Sequence, residues 1–136
     1  MALTEAPEEF RTTFQDEVKS ALRVLDNVEM LDFIGLQGGT AVDVFKHDIA
    51  CTTKANLCVF IVEHPSIGLG MEIMQRYHTM KPMMIFAREG QKVTRMVTGM
   101  LEQLNQPLLR YESAADIVRL VDAFRSAFLE GVGAPE

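Results

Sequence analysis

The chain has 136 residues, 48% hydrophobic and 24% charged, with a net charge of −6, which is the size and balance of one globular domain spanning residues 1–136. That acidic balance, with no basic cluster to offset it, argues against a polymeric nucleic-acid partner or an anionic membrane surface. No run approaches the ~20 apolar residues of a membrane span. Met1-Ala2-Leu3-Thr4-Glu5 also lacks the basic start and apolar stretch of a signal peptide. A cytoplasmic protein is therefore expected, with Cys51 and Cys58 as buried thiols rather than a disulfide, and with no metal-ligand spacing around them.

Taken in chain order, Pro7 to Leu25 predicts a first helix, because Phe10, Phe14, Val18, Leu22 and Leu25 recur every three or four residues. Val28 to Ile34 reads as a short strand and Gly35 to Gly39 as a loop. Thr40 is the expected N-cap of a helix running to about Lys54, with Val42, Phe45 and Ile49 on its inner face. Strand Leu57 to Val62 then leads into a glycine loop and a helix from Leu69 to about Thr79. Pro82 to Ala87 predicts another buried strand, Gln91 to Leu104 a helix and Pro107 to Tyr111 a last strand. A closing amphipathic helix runs from an N-cap at Ser113 to Leu129. This alternation predicts a flavodoxin- or Rossmann-like α/β fold. Its doubly wound parallel sheet would have about four to five strands, with helices on both faces. Only Met1 to Ala6 precede the first helix, so the expectation is a first strand that is degenerate or missing, with another chain or an absent segment completing the sheet in the second case.

The stretch Pro65-Ser66-Ile67-Gly68-Leu69-Gly70-Met71-Glu72 carries the chemistry. A buried parallel strand that runs into a small-residue loop and a helix N-terminus is where open α/β sheets place their ligands. The Ser66 hydroxyl and the N–H groups of Ile67, Gly68 and Leu69 are candidates for a phosphate cradle, with Gly70 keeping the backbone accessible; Ser66 is equally readable as a helix N-cap. Glu72 is either an acid stabilised by the helix dipole or a carboxylate nucleophile suited to acetal-type carbons. Asp48 borders the inner face of its helix, where a carboxylate needs a partner, water or a function. His47, His64 and His78 form no triad or metal spacing, Arg88 and Lys92 flank a loop and read as surface charge or as phosphate contacts, and the nine methionines read as core filler.

These residues resemble the nucleoside 2-deoxyribosyltransferase superfamily, most closely its 2′-deoxynucleoside 5′-phosphate N-hydrolase branch. The resemblance rests on Asp48, the Ala55-Asn56 junction, the Pro65–Glu72 string, the 24-residue interval from Asp48 to Glu72, and Lys81 to Arg88 as the next strand. It implies a flavodoxin-like, dimeric or higher homo-oligomeric subunit that needs no metal or cofactor. Such a subunit would cleave or exchange the N-glycosidic bond of nucleosides or nucleotides. Glu72 would be the nucleophile, Asp48 would bind the sugar hydroxyl or move a proton, Ser66 would contact the 5′-phosphate, and Thr94 would reach a neighbouring subunit's phosphate site. Two departures stand beside it. Leu3-Thr4-Glu5-Ala6-Pro7 lacks the family's opening glycine loop, and Met71 replaces an aromatic residue. The alternative is therefore a catalytically inactive member that binds nucleotide or serves assembly.

Overall fold

The computed structural model describes residues 7–31 and 39–133, which divide into two compact units: Leu31–Arg110, and Glu8–Met30 with Tyr111 onward. In the first unit a capping box opens helix α1 (Ala41–Lys54). The Asp43 N–H donates to Thr40 Oγ1 at 3.2 Å and the Thr40 N–H donates to Asp43 Oδ2 at 2.9 Å. Gly39 just before it has φ +82°, and a Cβ there would sit 2.7 Å from Asp43 Oδ2, so the cap requires glycine. Strand β1 (Cys58–Ile61) follows, then α2 (Ile67–Thr79), β2 (Met83–Arg88), α3 (Arg95–Gln103) and β3 (Leu109–Tyr111).

The strands form a three-stranded sheet in the order β1-β2-β3, an α/β arrangement of Rossmann-like kind flanked by helices. Strands β1 and β2 run parallel, with Cys58 opposite Met83 and Phe60 opposite Ile85. Alternation along them sends Cys58, Phe60, Val62, Met83, Ile85 and Ala87 to one face, where they cluster with Leu69 and Ile73 of α2 and Leu101 of α3. Ile61 and Phe86 point the other way and are buried as well. The described residues thus hold three strands rather than four or five. The strand expected from Val28 is not formed over Val28–Leu31, and Asp32–Ile34 and Met1–Ala6 lie outside the described residues. Three of the four residues Val28–Leu31 are apolar, yet none of the four is buried.

The second unit is helical. A π-type segment (Phe10–Gln15) continues into the helix Asp16–Arg23, which buries Val18 and Leu22 and packs against the long closing helix Ala114–Gly133. Phe14 stacks between Phe10 and Tyr111, with ring centroids 5.2 Å apart on each side. The start of the closing helix is held by Asp116, whose Oδ2 accepts the N–H groups of Glu112 and Ser113; these two bonds hold its carboxyl below the usual range. No described helix is long and apolar enough to cross a membrane.

Candidate active site

Helices α1 and α2 pack against each other, and their interface is polar where the sequence pattern predicts apolar residues. Val42 and Phe45, expected on the inner face of α1, are 58% and 54% exposed. The half-buried residues of that helix include His47, Asp48 and Cys51, and Thr52 is buried. Ile49, expected on the same face, is half-buried, so the apolar spacing holds there and fails at Val42 and Phe45. The methionines expected in the core also divide: Met83 is buried, whereas Met71, Met74, Met80 and Met96 are exposed.

Ser66 sets the start of α2. Its Oγ accepts the Leu69 N–H at 3.2 Å and its carbonyl accepts the Gly70 N–H at 3.1 Å. The helix consequently begins at Ile67, two residues earlier than expected, and Gly68 and Gly70 are helical rather than parts of a loop. This places Glu72 in the second turn, beyond the strongest influence of the helix dipole. A Cβ on Gly68 or Gly70 would meet nothing within 4 Å, so the glycines leave open space beside the first turns. The Ile67 and Gly68 N–H groups have no acceptor among the described residues, as helix geometry dictates for these positions. Thr94 stands at another helix N-terminus, that of α3, where its Oγ1 accepts the Met96 N–H at 3.4 Å.

Asp48 on α1 and Glu72 on α2 lie near enough across the α1–α2 interface for the charge of Glu72 to act on the Asp48 carboxyl. The Asp48 carboxyl is pushed up to about 6, by burial first and then by the negative charge of Glu72. His47 pulls in the opposite direction. The His47 Nε2 lies 3.5 Å from Cys51 Sγ, and both cysteines are free thiols. Burial pushes both thiols up, away from the reactive thiolate form. Among the described residues no group of three or more His, Cys, Asp or Glu side chains is arranged to hold a metal ion.

A second polar constellation lies at the carboxyl ends of β1 and β2. Arg88 grips Glu63 through two bonds, Nε to Oε1 at 2.6 Å and Nη2 to Oε2 at 3.2 Å. The Gln91 amide donates to the Val62 carbonyl at 2.8 Å and accepts the Arg88 N–H at 3.1 Å. Arg110 donates to the Arg88 and Gln91 carbonyls at 3.0 and 2.6 Å. Arg88 is thus paired with Glu63 while its side chain stays 41% exposed.

Sequence reasoning misses Arg76, on α2 one turn beyond Glu72. It is fully buried, and its donors end on main-chain carbonyls: Thr52 at 3.0 Å, Ala55 at 2.7 Å, and Pro82 at 3.0 and 2.7 Å. Burial lowers its pKa. The carbonyls at the end of α1 supply partial negative charge in place of a carboxylate. The available signal is its spacing, four residues after Glu72, as Thr52 is four after Asp48.

No protein-family model matches the sequence, and no characterised protein matches it. Among solved structures, that of the CMP N-glycosidase BcmB from Clostridium botulinum aligns with 60% of this chain and 73% of its own, with a TM-score of 0.53 and 17% identity. The α/β fold is therefore shared with a nucleotide N-glycosidase.

Proposed function

We propose that this protein cleaves or exchanges the N-glycosidic bond of nucleosides or their 5′-monophosphates, using Glu72 as a carboxylate nucleophile and Asp48 as its acid–base partner. The observation that carries this reading is the approach of Asp48 and Glu72 across the α1–α2 interface, with the Asp48 carboxyl raised to about 6. A carboxyl that holds its proton towards neutral pH beside a second acid is the equipment of glycoside chemistry. In the proposed reaction Asp48 supplies the proton and the Glu72 carboxylate is the nucleophile. The Glu72 carboxylate attacks C1′ as the C1′–N bond breaks, the base leaves with the bonding electrons, and Asp48 gives it a proton. Water or a second base then attacks C1′ and releases Glu72, returning the proton to Asp48. The uncovered N–H groups of Ile67 and Gly68, with Ser66, Gly70 and Thr94 beside helix N-termini, are the proposed phosphate contacts.

The working form is a homodimer or higher homo-oligomer. Supporting this, Val42 and Phe45 on α1 and Ile67 and Met71 on α2 expose large apolar side chains. The same exposure favours a second reading, an assembly or nucleotide-binding subunit without turnover. Chromatography after incubation with CMP and the four deoxynucleoside 5′-monophosphates, with and without an acceptor base, separates the two. Free or exchanged base is expected. Its absence, with a nucleotide-induced rise in melting temperature, would instead establish the binding subunit.

A further inference from the structure

Two carboxylates facing each other across a helix interface repel once both ionise, so the approach of Asp48 to Glu72 has to be held by something else. The α1–α2 interface supplies that hold one turn further along. Glu72 and Arg76 are four residues apart on α2, Asp48 and Thr52 four apart on α1, and the guanidinium of Arg76 donates to the Thr52 carbonyl. The two pairings therefore lie side by side, because residues four apart share a helix face. Thr52 carries the link back towards the acid, its hydroxyl donating to the Asp48 carbonyl at 2.9 Å. Arg76 also binds Ala55 at the end of α1 and Pro82 before β2, tying both helices to the sheet. Two outer links follow the same seam: Gln75 Nε2 donates to Thr53 Oγ1 at 3.1 Å, and Lys81 Nζ to the Thr53 carbonyl at 2.8 Å.

We propose that Arg76 is the positioning residue of the acid pair: by clamping the carbonyl end of α1 it fixes the register in which Asp48 faces Glu72. Its charge acts on the fold rather than on the acid, since burial, Glu72, His47 and the chain's amino terminus shift Asp48 and Arg76 does not. The proposal rests on the reading of the pair as catalytic. A guanidinium is needed because one planar head must serve three carbonyl groups at once, which an ammonium on a flexible stem does not do.

The test is a carbon-13 NMR titration of the Asp48 carboxyl, assigned with Asp48→Asn, in the wild-type chain, Arg76→Lys and Gln75→Ala. Wild type and Gln75→Ala are expected to titrate near 6, and Arg76→Lys about tenfold lower in proton affinity, one pH unit down. Where turnover is measurable, Arg76→Lys lowers kcat by about 10- to 100-fold, more than it changes KM. A folded Arg76→Lys chain whose Asp48 still titrates near the wild-type value overturns the proposal and leaves the acid pair standing. A wild-type Asp48 in the ordinary carboxylate range sinks the acid pair itself. If Arg76→Lys does not fold, the titration is repeated in trimethylamine N-oxide, which favours compact states. A shifted Asp48 there supports the role, whereas an unshifted one, or a chain still unfolded, assigns Arg76 to global stability and overturns it.

Discussion

The two polar constellations of the first unit are built on opposite principles. At the carboxyl ends of β1 and β2 every charge finds its complement: Glu63 is gripped by Arg88, and Gln91 and Arg110 cover the neighbouring carbonyls. Across α1 and α2 the opposite holds, since Asp48 and Glu72 are like charges near each other, and burial adds to their mutual cost. A matched network rigidifies a sheet edge, whereas two like charges brought close store free energy that a substrate or proton can draw on. The nearby cation, Arg76, is directed at main-chain carbonyls instead of relieving the acids. That separation of roles is what the proposed function draws on at the α1–α2 seam.

The largest effect that would sharpen this contrast is on turnover. Glu72→Gln is expected to lower base release by ~10³-fold or more, the scale of losing a nucleophile, while leaving the urea midpoint nearly unchanged. An active Glu72→Gln chain would break the contrast outright.

Asp48 gives the next effect, on stability and on pH dependence together. A carboxyl raised in the folded state binds its proton more tightly there than in the unfolded chain. The penalty for ionising it is absent below 3.8 and complete above about 6. Asp48→Asn should therefore be more stable than wild type at pH 8, by about 1–2 kcal/mol after discounting for partial exposure, and equal to it at pH 3. In the wild type, kcat/KM should fall as pH rises through about 6, because Asp48 then loses the proton it must donate. Urea unfolding at the two pH values and a pH–rate profile check both.

Smaller effects belong to the matched side and to the helix start. Ser66→Ala removes the cap on Leu69 and should cost about 1 kcal/mol, with a rise in KM for 5′-monophosphates over the free nucleosides. Glu63→Gln should cost less, about 0.5–1 kcal/mol, since Arg88 is 41% exposed, and should leave the Asp48 titration unmoved. A shift of Asp48 in Glu63→Gln would show that the two constellations are coupled.

Much of the scaffold was legible because local signals agreed. Thr40 and Lys54 bound α1 through a capping box and a basic last residue, and β1 and β2 are apolar runs ended by a proline loop or by charge. The acid pair was legible as two separate candidates joined by a family-like interval. Their approach was not, since it depends on how α1 is rotated. Apolar spacing pointed that helix at Val42, Phe45 and Ile49, yet Val42 and Phe45 are exposed and only Ile49 is half-buried. The Pro65–Gly70 string reads as a loop because glycine is a poor helix former, yet Ser66 caps early enough to draw both glycines into α2. Arg76 was hidden because an arginine in an amphipathic helix normally reads as solvent-facing, and nothing local announces a cluster of buried carbonyls.

The most direct test of the carboxylate nucleophile is mass spectrometry of the peptide containing Glu72, after rapid acid quenching of the protein with a 2′-fluoroarabinosyl nucleoside 5′-monophosphate. Fluorine at C2′ destabilises the oxocarbenium-like transition state and slows release of a covalent intermediate. A pentosyl phosphate ester on Glu72, absent from Glu72→Gln, is the expected result. Base release with no adduct on Glu72, or with an adduct on another residue, would contradict the assignment.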